Sequence, residues 1–88
     1  MKIREVSIDA RFEKNYKKLP HKIKSKAKVK ERIFRENVFH PILRTHKLHG
    51  EEKDAWAFWI DYTYRIKFIF LDEGVVLFLD VGTHDIYK

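Results

Sequence analysis

The apolar residues change their spacing near the middle of the chain, and that change decides the class of fold. Before it they recur three and four apart: Phe12, Tyr16 and Leu19, then Ile23, Ala27, Phe34 and Val38, with Ile33 in support. This is the stripe of a helix. After it, residues 54–60, 64–71 and 75–81 are rich in β-branched and aromatic side chains and are separated by short turns, as strands are. Asp72-Glu73-Gly74 suits a hairpin, the Gly supplying positive φ. Asp61-Tyr62-Thr63 is a less explicit turn.

Alternation then assigns faces. On 64–71 one side carries Tyr64, Ile66, Phe68 and Phe70, and the other Arg65, Lys67, Ile69 and Leu71. The first set is expected toward the helices, with Arg65 and Lys67 on an open concave face. Residues 75–79 are apolar on both sides and belong inside the sheet. Ahead of the helices, residues 2–8 read as a strand and Asp9 as a helix N-cap. Pro20 breaks the first helix, and the second runs to about residue 38, before Pro41. The expected architecture is α+β: two N-terminal helices packed on an antiparallel sheet of about four strands, in the order β-α-α-β-β-β. Eighty-eight residues make one domain, spanning 1–88.

Charge is uneven. Residues 11–35 hold eleven Lys and Arg against two acids, a local +9 on a chain whose net charge is +6. The remainder is therefore negative. A cationic element of this kind favours the phosphates of nucleic acid, without fixing any sequence preference. Lys22, Lys26 and Lys30 stand on the second helix as candidate RNA contacts. The same surface invites an acidic protein segment as a partner. With no cysteine, disulfides and thiolate zinc sites are excluded. The longest apolar runs, 55–60 and 75–79, are far too short to span a bilayer, and a cytoplasmic chain without membrane attachment is expected.

Five histidines offer proton chemistry. His46 and His49 stand three apart but lack further ligands, so neither a metal nor another cofactor is expected. His21 and His40 flank prolines near helix ends and read as surface residues. His84 follows Gly82-Thr83 directly after an interior strand, near Arg65 and Lys67 on the neighbouring one. RNA cleavage without metal needs a proton taken from the 2′-hydroxyl, a proton given to the 5′-oxygen, and charge stabilisation on the phosphorane. Imidazole serves the first two and guanidinium the third.

Four stretches in order carry a resemblance. They are Lys47-Leu48-His49-Gly50, Trp56-Ala57-Phe58-Trp59-Ile60-Asp61, Tyr64-Arg65-Ile66-Lys67-Phe68 and Val81-Gly82-Thr83-His84-Asp85-Ile86-Tyr87. Together they resemble the C-terminal half of RelE/ParE-superfamily toxins of type II toxin-antitoxin systems, and most of all the YafQ branch. The resemblance implies a ribosome-dependent endoribonuclease that cleaves mRNA, inhibits translation and is neutralised by a cognate antitoxin. It places His84 at the catalytic histidine, Arg65 at the arginine that stabilises the scissile phosphate, and His46 at a second proton carrier. Lys47, Lys67 and Tyr87 become RNA contacts, Tyr87 as an aromatic stacked on a base. Ala57 and Trp59 depart from RelE itself, which carries catalytic lysines on this strand; Trp59 offers a stacking platform instead. Two other classes remain open: a ParE-like topoisomerase inhibitor without a nuclease site, and a non-enzymatic nucleic-acid-binding module.

Overall fold

The computed structural model describes residues 1–50 and 54–87. Strand β1 (Glu5–Ile8) leads into helices α1 (Ala10–Lys17) and α2 (His21–Glu36). A 3-10 turn over Pro41–Leu43 follows, then strands β2 (His46–Lys47), β3 (Ala55–Trp59), β4 (Arg65–Asp72) and β5 (Val75–Gly82). A second 3-10 turn, His84–Tyr87, ends the described chain.

Local chemistry explains the helix ends. Asp9 caps α1 as its position predicted, its carboxylate accepting the Arg11 amide at 2.8 Å. Helix α2 stops two residues earlier than the apolar stripe suggested, because Asn37 turns extended (φ −158°). The Asn37 side chain then accepts the Phe39 amide at 3.1 Å and bends the chain toward Pro41.

The sheet differs from expectation in two ways. It has five strands, in the order β1-β5-β4-β3-β2, and it is mixed. Strand β1 runs parallel to β5, pairing Glu5 with Val75 and Ile8 with Phe78, whereas every other pair is antiparallel. The direction follows from topology. The helical hairpin brings the chain back beside the start of β1, where the Ile3 amide donates to the Arg35 carbonyl and the Val38 amide to that of Met1, and β2 through β5 then meander until β5 lies alongside β1. Strand β2 is too short to carry a period, which is why its pattern is invisible in the sequence.

On β4 the alternation holds. Ile66 and Phe68 are buried under the helices, while Tyr64 and Phe70 pack half-buried at the core's edge. Phe34 of α2 is the centre. Its ring stacks on Phe58 (4.5 Å between centroids) and meets Phe68 edge-on at 5.0 Å and Phe78 at 5.6 Å. Such ring pairs add about 0.5–1.5 kcal/mol each beyond the area they bury. The ladder skips one residue: Lys67 pairs with Asp80 and Phe68 with Phe78, leaving Leu79 unpaired as a β-bulge. Asp80 is buried there and accepts Asn15 Nδ2 at 2.7 Å, tying α1 to the sheet.

Candidate functional site

The face of the sheet away from the helices carries the side chains singled out for chemistry. Trp59 and Arg65 are cross-strand partners, as are Ala57 and Lys67, and His46 pairs with Ala57. Paired residues project to the same side, so His46, Trp59, Arg65 and Lys67 share this face. Lys47 falls one residue out of phase, opposite Trp56, and belongs to the other face.

Five residues, Arg44, His46, Trp59, Arg65 and Tyr87, form one linked cluster. The Arg65 guanidinium carbon lies 4.0 Å from the centroid of the Trp59 ring, and that of Arg44 lies 4.7 Å from the same centroid. The backbone carbonyl of Arg44 accepts from His46 Nδ1 at 2.8 Å. The His46 ring meets Tyr87 edge-on, 5.9 Å between centroids. Tyr87 returns to Arg65, whose charge acts on its hydroxyl.

Each contact has a chemical consequence. A carbonyl only accepts, so the His46 bond holds the proton on Nδ1 and leaves Nε2 of the neutral ring as the acceptor. Arg65 spends Nη1 on the carbonyl oxygens of Asp61 (2.6 Å) and Tyr64 (3.3 Å), which fixes its direction. Asp61 shapes the turn that presents this carbonyl. Its Oδ1 accepts the amides of Thr63 (2.9 Å) and Tyr64 (2.8 Å). Partial burial raises the Asp61 pKa, but those two amides and Lys26 outweigh it and hold the carboxyl below its ordinary value. The Tyr87 hydroxyl is buried beside the Arg65 guanidinium. Burial pushes its pKa above the ordinary tyrosine value, and the Arg65 charge pulls back without reversing the shift.

Four expectations change here. Lys67 does not face an open concavity: it is 3% exposed, and its Nζ donates to the Ile86 carbonyl at 3.1 Å. The final 3-10 turn folds back over it. Gly82 permits this close approach, since a Cβ there would stand 2.8 Å from Ile86 Cγ2. Second, Lys30 Nζ donates to the Ile60 carbonyl at 2.8 Å, and Lys26 reaches Asp61 at 3.5 Å. Both brace the β3–β4 turn from the helix side and are already engaged, while Lys22 is exposed. Third, Trp59 is no bare stacking platform, because guanidinium groups already lie over its ring. Fourth, the Tyr87 ring packs on His46 with its hydroxyl buried, instead of standing out toward a base.

His84 opens the final turn with its side chain 78% exposed, and Asp85 Oδ1 lies 3.9 Å from its Nε2. Arg44 is the member of the cluster that sequence reasoning missed. The available signal was Trp59 itself, an outward aromatic on a strongly cationic chain, a setting that draws a guanidinium over its face.

This arrangement of helices and sheet is the fold of the RelE/ParE toxins. No family model and no curated protein matches the sequence, so the likeness is one of structure. The chain is similar to the YafQ toxin in the DinJ-YafQ complex of E. coli, with a TM-score of 0.75 at 20% identity over 94% of this chain and 96% of that one. It is similar to a YoeB/ParE toxin from Agrobacterium tumefaciens, with a TM-score of 0.76 at 13% identity over 92% and 99%. The archaeal RelE-RelB complex from Pyrococcus horikoshii OT3 gives 0.71 at 17% over 94% and 96%. No helix among the described residues is long and apolar enough to cross a membrane.

Proposed function

We propose that this chain is the toxin of a type II toxin-antitoxin system, a ribosome-dependent endoribonuclease that cleaves mRNA and inhibits translation in the cytoplasm. The observation that carries the reading is the linked cluster of His46, Arg44, Trp59, Arg65 and Tyr87 on the helix-free face of a RelE/ParE-type sheet. His46, with Nε2 as acceptor, takes the proton of the attacking 2′-hydroxyl. Arg65 stabilises the charge that develops on the phosphorane. His84, exposed at the start of the turn that follows β5, returns a proton to the leaving 5′-oxygen. These side chains cover the three requirements of metal-free cleavage.

The partner is a cognate antitoxin. The cationic hairpin and the solved toxin-antitoxin complex of a structural neighbour support it. Association with an acidic antitoxin segment weakens as salt rises.

The test is to incubate translating ribosomes with the protein and map new mRNA 5′ ends. Cleavage that vanishes in His84→Ala and Arg65→Ala supports the reading. Growth arrest without any new 5′ ends would reject it and leave topoisomerase inhibition as the working alternative.

A further inference from the structure

Arg44 stands at the end of the Pro41–Leu43 turn, in the left-handed region (φ 49°, ψ 40°), with its side chain exposed. Its guanidinium and that of Arg65 lie against one indole ring. The two carbons are therefore no farther apart than the sum of their distances to that ring, 4.7 and 4.0 Å. Neither arginine has a carboxylate within ion-pair distance among the described residues. Two like charges held this close repel, and the ring's quadrupole offsets part of that cost. An anion placed across the pair would offset far more.

We infer that Arg44 is a second phosphate-holding arginine, which together with Arg65 grips neighbouring phosphates of one RNA strand. Trp59 is the spacer that keeps the two planar groups in place. The inference rests on the ribonuclease reading and adds a strand-positioning residue to it. Geometry also links this grip to the chemistry, because the carbonyl of Arg44 orients His46. Seating a phosphate on Arg44 thus brings the strand beside the imidazole that takes the 2′-proton. Sequence preference does not arise from this pair, since phosphates are common to every nucleotide.

The left-handed backbone supplies a suitable variant. Glycine adopts this conformation without strain, so Arg44→Gly removes the side chain while preserving the turn. A 2′-O-methyl RNA oligomer, which binds but cannot be cleaved, is titrated by fluorescence anisotropy across a range of salt. Circular dichroism confirms the fold of each variant. Arg44→Gly is expected to weaken binding about equally for oligomers of different sequence, and to flatten the slope of log K against log salt by about 0.7, one single-strand phosphate. Arg44→Lys is expected to restore the slope. An unchanged slope in Arg44→Gly, with wild-type protein binding and cleaving RNA, overturns the inference and leaves the nuclease reading standing. Wild-type protein that binds no oligomer at any salt overturns the inference alone, whereas the absence of mRNA cleavage on translating ribosomes overturns both.

Discussion

The two faces of strands β3 and β4 use aromatic rings in opposite ways. Toward the helices, Phe34, Phe58, Phe68 and Phe78 pack ring on ring, all of them buried. Away from the helices, Trp59 packs against two guanidinium groups and Tyr87 against an imidazole. Neighbouring residues such as Phe58 and Trp59 thus serve different ends. The inner face gains its free energy from removing carbon from water. The outer face holds charge in fixed directions and leaves it accessible to a ligand.

The contrast breaks most sharply at its centre. Phe34→Ala should cost about 3–5 kcal/mol, the usual penalty for emptying an aromatic site in a core. Set against a total stability of about 5–15 kcal/mol, that is enough to unfold much of the population. A guanidinium chloride midpoint near the wild-type value would show that the ring cluster is not the core's keystone. On the outer face, His84→Ala should leave that midpoint unchanged and slow cleavage by about 10²–10⁴. Arg65→Ala should cripple cleavage comparably through lost charge stabilisation, with little change in pH dependence. A His84→Ala protein with wild-type cleavage and growth arrest would remove this residue from the mechanism.

Asp61 links the two faces, and its removal should have a mixed result. Asp61→Ala strands two turn amides and should cost about 1–3 kcal/mol, while misaiming Arg65 and lowering cleavage. Its folded pKa is depressed, so its contribution is present above the ordinary carboxylate value and fades as pH falls through the lowered one. Wild type and variant should accordingly converge in stability at strongly acidic pH, as denaturant titrations at several pH values would show. The smallest effect sits on Tyr87. Its raised pKa means the folded state prefers the neutral phenol, so stability falls as pH climbs past the ordinary tyrosine value. Tyr87→Phe should flatten that alkaline decline slightly. A slope unaffected by the substitution would mean the hydroxyl is not buried in solution.

Much of this was legible in sequence because it depends on spacing. Asp9 as a cap, Gly74 in its turn (φ 71°), and the inward set on β4 follow from local rules. The outward position of Arg65 follows from the same alternation. What escaped depends on contacts between distant residues. Lys67 alternates outward as expected and is still buried, because the last turn folds onto it where Gly82 lacks a Cβ. Lys26 and Lys30 read as RNA contacts by sequence, yet they reach the β3–β4 turn from the helix side. Arg44 comes to Trp59 through a left-handed turn that no periodicity encodes.

The parallel pairing of β1 with β5 sets a schedule for synthesis. Residues 5–8 leave the ribosome well before their partners 75–78. Until β5 appears, β1 has no ladder to join and β4 lacks one of its two neighbours. Contacts this far apart in sequence form slowly, since a long loop must close before any of them is made. A nascent chain therefore carries its cationic hairpin before the outer face is assembled. Chains arrested before residue 75 should accordingly show no protease-resistant core, and resistance should arise in one step once β5 has emerged.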